Sequence, residues 1–385
     1  MKEKKYWEDT MSYFGEQTPK LGFGLMRLPK TADGGEDLEQ VKKMVDIFMD
    51  AGFTYFDTAF VYDRGDSEKA VKECLVDRYP RDSFTLATKL NAWYAPMTEE
   101  EAKAQFQTSL ERTGAGYFDY YLLHALKNES YHLYDDFHLW DFIREQKEQG
   151  LIKHIGFSFH GSSELLEQIL NAHPEVEFVQ IQYNYADLQN PKVEAEKCHE
   201  IICRHGKGIV IMEPIKGGSL AAPGPAVEKI FRQAAPAMSV ASWAVRFAAS
   251  ADNIITVLSG MSNLAQMEDN VSYMKDFKPL TEAERNVIRA AQNVLANSDA
   301  IPCTACHYCT EGCPMQIPIP ELFAIRNRLT FGDAEADVKA AYETAVTKDG
   351  RGRASECIQC GQCENACPQY LPIISLLEEI AGKLE

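Results

Sequence analysis

The sequence predicts an α/β protein in which a (β/α)8 TIM barrel is followed by a small, mainly α-helical domain. Between residues 20 and 275, eight short apolar runs alternate with longer amphipathic segments. The 385 residues suit a barrel of about 250 residues with one smaller module. Eight of the eleven cysteines lie within residues 303–367, which predicts a separate metal-binding unit at that end of the chain.

The eight apolar runs are rich in Val, Ile, Phe and Tyr, as buried strands are. They are Leu21–Leu25, Phe53–Phe56, Phe84–Ala87, Tyr117–Leu123, His154–Phe157, Glu177–Ile181, Gly208–Met212 and Asn253–Leu258. Strands that alternate with helices pair in parallel through right-handed crossovers. Eight such units favour a closed barrel over an open doubly wound sheet, which the pattern leaves as the alternative.

The segments between the runs carry helix signals. Leu38–Ala51 has apolar residues at helical spacing, and Thr98–Arg112 opens on a capping-box pattern. Val240–Ala249 is a further predicted helix, and another starts at Thr281. We place the junction on that last helix, so residues 1–280 form the barrel and residues 281–385 the linker helix and cysteine-rich domain.

The composition excludes some classes of partner. A formal net charge of -18 repels nucleic-acid phosphates and anionic lipid, so neither nucleic acid nor a membrane is an expected partner. The chain has no apolar stretch of the ~18 residues that a spanning helix needs. The charged segment Met1–Glu8 has no apolar run behind it, which predicts a cytoplasmic protein without a secretory signal.

The cysteine-rich end contains one motif twice, each copy reading C-x2-C-x2-C-x3-C-P. This run resembles that of bacterial ferredoxins with two 4Fe-4S clusters, in which the fourth cysteine of each copy ligates the other cluster. The resemblance implies a ferredoxin-like domain in which one cluster is bound by Cys303, Cys306, Cys309 and Cys367, and the second by Cys357, Cys360, Cys363 and Cys313. Two structural zinc sites are the alternative, although zinc sites usually use paired C-x2-C arms separated by a longer loop.

The two copies are separated by a longer insert than a minimal ferredoxin has. It contains helix-like segments around Glu321–Leu329 and Ala334–Thr347. We expect the exchange of the fourth cysteine to survive this insert.

Four polar residues follow successive predicted strands, at the face where such barrels do chemistry. Asp57, Lys89 and His124 stand at the ends of the second, third and fourth runs, and Tyr62 lies just beyond Asp57. Carbonyl reduction needs a proton donor for the developing oxyanion. A tyrosine can serve when a lysine stabilises its phenolate, a carboxylate holds the lysine and a histidine orients the carbonyl.

The order Asp, Tyr, Lys, His resembles the catalytic tetrad of the aldo-keto reductase family, as does the phrase Ser109–Gly114 leading to Tyr117–His124. The resemblance covers about residues 20–275. It implies Tyr62 as general acid, Lys89 and Asp57 as the groups that tune it, and His124 as the residue that orients the substrate. Taken singly, each has a structural interpretation as a turn, packing or solvated residue.

The same resemblance implies a nicotinamide site without a Gly-rich phosphate loop. Ser158 and Gln182 resemble the two carboxamide contacts. The expected contacts over the pyrophosphate are Met212, Pro214, Lys216 and Gly217, and those at the adenosine end are Gly260, Ser262, Gln266 and Asn270. Each is equally well explained, alone, as a strand-end turn or helix cap.

Two departures from the family pattern bear on the cofactor. Phe159 follows Ser158 where many members have Asn. No Lys or Arg stands beside Met261 and Gln266 to bind a 2′-phosphate, so NADH and NADPH are both expected.

Hydride chemistry and one-electron clusters in one chain leave three hypotheses open. The first is a nicotinamide-dependent oxidoreductase for a small carbonyl or alcohol substrate, whose clusters are structural or relay electrons to a redox partner protein. The second is a redox-sensing or electron-transfer protein with little carbonyl turnover. The third is a ferredoxin-coupled reductase with a flavin, for which the sequence carries no fingerprint.

Overall fold

The computed structural model describes residues 13–94, 97–348 and 350–385. Outside these ranges lie residues 1–12, from which we predicted that the chain has no secretory signal, and residues 95 and 96 in the loop after β3. The strands are β1 (Leu21–Gly24), β2 (Tyr55–Asp57), β3 (Thr85–Leu90), β4 (Phe118–Leu126), β5 (Ile152–Phe159), β6 (Phe178–Gln182), β7 (Gly208–Met212) and β8 (Ile254–Ser259). Among the described helices, none has the length and apolar character needed to cross a membrane.

The eight strands form one closed parallel barrel in chain order, so the predicted TIM barrel is confirmed. Closure is made by β1 against β8, with Phe23 opposite Ser259. Tyr55, Tyr120 and Phe178 fill the barrel interior with edge-on ring contacts. The barrel interior is therefore a packed core, so the reactive groups of the barrel are expected at the strand ends.

The helices around the barrel follow from amphipathic segments between the strands. They are α1 (Leu38–Asp50), α2 (Asp66–Val71), α3 (Glu99–Thr113), α4 (His132–Asp136), α5 (Leu139–Glu148), α6 (Ser163–Ala172), α7 (Ala195–Arg204), α8 (Pro225–Ala234), α9 (Val240–Ala249) and α10 (Leu264–Met274). The α1 helix buries Val41, Met44, Val45 and Phe48, as its helical spacing predicts. The capping box at Thr98 is present, since its hydroxyl and the Glu101 carboxylate each accept the other residue's backbone N–H.

The C-terminal region is helical. It comprises α11 (Glu282–Leu295), α12 (Tyr308–Glu311), α13 (Ile319–Thr330), α14 (Glu335–Val346), α15 (Gln362–Ala366) and α16 (Ile373–Leu384). Ile288 and Ala291 of α11 pack on Phe231 of α8, so the linker helix lies against the barrel. A separate apolar core joins α13, α14 and α16 through Phe323, Tyr342 and Ile380. The domain division at residue 281 stays a prediction.

The C-terminal domain covers the carboxyl end of the barrel. Arg27 Nη2, beyond β1, donates to the Thr304 carbonyl at 2.9 Å, and Lys127 Nζ, beyond β4, donates to the Asn365 carbonyl at 3.1 Å. Tyr370 donates its hydroxyl proton to the His160 carbonyl beyond β5 at 2.5 Å. These contacts fix the domain over the face that carries the polar strand-end residues.

One glycine permits this close approach. Gly217 has φ +64°, and a Cβ built on it would lie 1.8 Å from the Thr304 carbonyl oxygen. Any side chain at this position would therefore push the cysteine-bearing loop away from the barrel.

Candidate active site

The four predicted tetrad residues come together at the carboxyl ends of three adjacent strands. Asp57 is the last residue of β2, Lys89 lies near the end of β3, and His124 lies on β4. Tyr62 follows β2 in a short turn and returns over the barrel. Because neighbouring parallel strands end at one edge, residues distant in sequence share this site.

Lys89 is at the centre of the group. Its Nζ donates to Asp57 Oδ1 at 2.5 Å and to the Thr58 carbonyl at 2.7 Å, and lies 3.4 Å from the Tyr62 hydroxyl. The side chains of Lys89 and Asp57 are 0% and 3% exposed. A fully enclosed ammonium is thus held next to the phenol by a carboxylate and a carbonyl.

Burial controls the charge states of this group. It raises the pKa of Asp57 and lowers the pKa of Lys89, while their mutual attraction opposes both shifts. Burial, reinforced by the Asp57 carboxylate, raises the pKa of Tyr62 well above its ordinary value, and Arg27 opposes that rise. Tyr62 is therefore a protonated phenol at neutral pH.

His124 is placed to face the phenol. The two rings stand edge-on with centroids 5.8 Å apart. Burial, with smaller contributions from Lys89 and His160, lowers the pKa of His124 well below its ordinary value. The imidazole is therefore neutral, and one nitrogen carries a proton that can be donated to a ligand.

A cavity of about 300 Å³ opens beside Asp57, Tyr62 and His124. It extends along the ends of β7 and β8 and reaches most of the residues expected to contact the nicotinamide cofactor. Those that line it are Gln182, Met212, Pro214, Gly217, Gly260, Ser262, Gln266 and Asn270.

Two expected cofactor contacts do not line this cavity. The Ser158 hydroxyl lies inside the barrel wall and accepts the Ala125 N–H at 2.7 Å. Lys216 turns to the other side of its loop, where its Nζ pairs with Asp187. Both side chains are buried in contacts of their own.

The cavity also contains residues that the motifs did not indicate. Arg27 brings a cation to it and pairs with Glu213 at 3.3 Å. Gln180 lines it and is 2% exposed, and its Oε1 has no hydrogen-bond partner among the described residues. Arg27 lies just past β1, as Asp57 ends β2, so its strand-end position was the signal that could have identified it.

The C-terminal domain closes the cavity from above. Cys306, Tyr308, Pro368 and Gln369 all line it. The side-chain amides of Gln369 and Gln182 bond each other reciprocally, at 2.8 Å and 3.1 Å. Sequence spacing gave no indication of these contacts, because they join residues that are more than 180 positions apart.

The eight motif cysteines surround two small cavities. One is lined by Cys303, Cys306, Cys309 and Cys367, together with Pro320 and Phe323 of α13. The other is lined by Cys313, Cys357, Cys360 and Cys363. The grouping matches the predicted exchange of the fourth cysteine, and four thiols around one space are the donor set of a 4Fe-4S cluster. Among the described residues, no group of three or more His, Cys, Asp or Glu is arranged around a single metal ion.

Comparison with known proteins agrees with this architecture. The aldo/keto reductase family profile matches residues 20–293, and that of a 4Fe-4S dicluster domain matches residues 302–371. An uncharacterized oxidoreductase of Bacillus subtilis is 22% identical, covering 71% of this chain and 92% of that protein. An aldo-keto reductase of Bombyx mori is 26% identical, but the match spans only 59% of its length and 46% of this chain.

Solved structures show the same fold. The holo form of an aldo-keto reductase from Bacillus halodurans superposes with a TM-score of 0.58 at 25% identity, covering 71% of this chain and 91% of that one. An aldo-keto reductase from Klebsiella pneumoniae in complex with NADPH superposes with a TM-score of 0.58 at 19% identity, covering 72% and 94%. The chain thus belongs to the aldo/keto reductase family and carries a 4Fe-4S dicluster domain after its barrel.

Proposed function

We propose that the protein catalyses nicotinamide-dependent reduction of a small aldehyde or ketone, or the reverse oxidation of an alcohol. The observation that carries this proposal is the convergence of Asp57, Tyr62 and His124 on one end of the cavity, with Lys89 bonded to Asp57 and next to the Tyr62 hydroxyl. The other end of that cavity is lined by residues that family resemblance assigns to the dinucleotide.

The chain's own contribution to the reaction is proton delivery. When bound, the reduced nicotinamide supplies hydride to the carbonyl carbon. Tyr62 gives its phenolic proton to the carbonyl oxygen, so the phenol O–H bond breaks as the alcohol O–H bond forms. The Lys89 ammonium, 3.4 Å from the phenol oxygen, stabilises the phenolate that remains. The neutral His124 donates a hydrogen bond that orients the carbonyl.

The residues that line the cavity offer partners for the parts of a dinucleotide. A carboxamide N–H suits the unpaired Gln180 Oε1, since the Gln182 amide already bonds Gln369 and Asp187. A pyrophosphate suits the Arg27 guanidinium. Met261 and Gln266 offer no charge to a 2′-phosphate, so we propose that NADH and NADPH are both accepted.

We also propose that each set of four cysteines holds one 4Fe-4S cluster. The set containing Cys306 reaches the catalytic cavity, whereas the other set reaches the protein surface at the exposed Cys360. A cluster supplies one-electron transfer when bound. This path from surface to cavity favours a second candidate function, electron transfer between a redox partner protein and a ligand in the barrel.

The test is an anaerobic assay of the protein with both clusters, using NADH and NADPH with a panel of aldehydes and ketones. Replacing Tyr62 by Phe removes the proton donor, and we expect kcat to fall by about 10²- to 10⁴-fold. Tyr79→Phe, at the outer surface near Asp46, is the matched control and should retain the wild-type rate. Turnover by Tyr62→Phe at the wild-type rate would refute the proposed role. Reduction supported by a chemical one-electron donor, with no nicotinamide present, would favour the second candidate.

A further inference from the structure

Three rings from different parts of the chain, those of Tyr62, His124 and Tyr308, line the catalytic end of the cavity, and a fourth, Trp93, packs against two of them. Tyr62 and His124 contact edge-on, and Trp93 lies edge-on to His124 at 6.3 Å between centroids. Tyr308 lies edge-on to Trp93 at 5.8 Å. We name Tyr62, His124, Trp93 and Tyr308 the aromatic box. Three of its members come from the barrel, and Tyr308 comes from the iron–sulfur domain.

The position of Tyr308 is set by the cysteine loop. It begins α12, between Cys306 and Cys309, so any cluster held by those thiols also fixes its backbone. The loop is anchored to the barrel through Thr304, whose carbonyl accepts from Arg27 and contacts Gly217. Trp93 is fixed as well, since its Nε1 donates to the His124 carbonyl at 3.0 Å. The rings of the aromatic box are therefore held in place before a ligand binds.

Three cations lie near the box, and two of them are paired. Asp57 compensates Lys89, and Glu213 compensates Arg27. The third is Lys127, whose ammonium lies 5.2 Å from the centre of the Trp93 ring and is bonded to the Asn365 carbonyl. Flat aromatic groups gain from edge-to-face contacts with such rings, whereas puckered rings of similar size do not.

We propose that Tyr308 is a specificity-determining residue for the reaction proposed above, and that it selects flat aryl or conjugated carbonyl compounds over puckered ones. The iron–sulfur domain then forms one wall of the substrate site. The reaction in this inference rests on the proposed function, whereas the binding preference of the box does not.

Binding is tested first without turnover, on the protein with both clusters. Benzamide is a flat carbonyl compound that the site cannot reduce readily, and cyclohexanecarboxamide is its puckered counterpart. By calorimetric titration we expect benzamide to bind more tightly. Tyr308→Leu should weaken benzamide binding by about 3- to 10-fold, the range expected for loss of one aromatic contact. It should change the binding of cyclohexanecarboxamide by less than about 2-fold, and Tyr308→Phe should restore the preference.

Turnover gives the second readout. With benzaldehyde as substrate, Tyr308→Leu should raise KM by about 3- to 10-fold and leave kcat within about 2-fold. Should Tyr308→Leu lose iron or sulfide, Trp93→Leu tests the same box from the barrel side, with Trp93→Phe as its control.

The outcomes separate the two proposals. A wild-type protein that binds benzamide selectively but reduces no carbonyl compound would overturn the proposed function. The binding preference of the aromatic box would still hold. A wild-type enzyme that turns over aldehydes, but whose leucine variants keep the wild-type ratio of flat to puckered ligands, would overturn this inference alone.

Discussion

Lys89→Met is the substitution whose effect the structure defines most clearly. Lys89 Nζ is the sole partner, among the described residues, of the Asp57 carboxylate: it bonds Oδ1 at 2.5 Å, while Oδ2 has no partner. Methionine has a similar length but no charge, so it would leave Asp57 enclosed with neither oxygen bonded. Both the stability of the barrel and the acidity of Tyr62 should suffer.

The size of the stability effect follows from this burial. Removing one member of a buried ion pair costs about 3–5 kcal/mol, because the remaining charge has no compensation. The bond from Lys89 to the Thr58 carbonyl, 2.7 Å long, is lost as well. Asp57→Asn/Lys89→Met removes both charges, so it should regain a large part of this loss.

The assay is urea unfolding of the barrel, followed by tryptophan fluorescence under anaerobic conditions. The wild type, Lys89→Met and the double variant are compared at one cluster content. We expect the unfolding midpoint to fall for Lys89→Met and to recover in the double variant, while both lose activity. A single variant as stable as the wild type, or a double variant no better than the single one, would refute the reasoning.

Three further predictions concern other parts of the site. Arg27→Leu should weaken NADH and NADPH binding by about 10- to 100-fold, as expected for loss of a charge-assisted hydrogen bond. In a fluorescence titration, Arg27→Lys should retain more affinity than Arg27→Leu. Equal affinities for the wild type and both variants would contradict the role of Arg27. Burial lowers the pKa of His160 from its ordinary value of 6.5 to about 4. As pH falls, the His160 imidazole therefore takes up its proton at a higher pH in the unfolded chain than in the folded chain. Up to about 3 kcal/mol of the free energy of unfolding should be lost between pH 6.5 and 4. His160→Gln should lack that part of the pH dependence, and an identical pH profile would contradict it. Cys360→Ser should remove about half of the bound iron, while Cys203→Ser, outside the motifs, should remove none; equal iron in both variants would count against the assignment.

The barrel could be predicted because its strands are short apolar runs separated by amphipathic helices. The candidate tetrad could be predicted because residues such as Asp57 and Lys89 end adjacent parallel strands, and adjacent strand ends meet at one edge. Both inferences use only local pattern and chain order. The two cysteine groups could be expected from the resemblance to bacterial ferredoxins, because each group takes its fourth cysteine from the other copy of the motif.

The roof of the cavity could not be predicted in this way. Tyr308 and Gln369 reach the barrel only because the second domain docks over the strand ends, and no local periodicity encodes that contact. The side chains of Ser158 and Lys216 also depend on details beyond the motif. The Ser158 hydroxyl accepts the N–H of Ala125 on the neighbouring strand, and the Lys216 ammonium pairs with Asp187.

The central claim is that hydride passes from a nicotinamide to a carbonyl carbon beside Tyr62. The most direct measurement uses NADPH or NADH deuterated at its transferable position, with benzaldehyde and the protein carrying both clusters, and mass analysis of the alcohol formed. We predict one deuterium on the carbinol carbon of each product molecule. An alcohol whose new C–H hydrogen comes from solvent would contradict direct hydride transfer and indicate that the electrons arrive by another route.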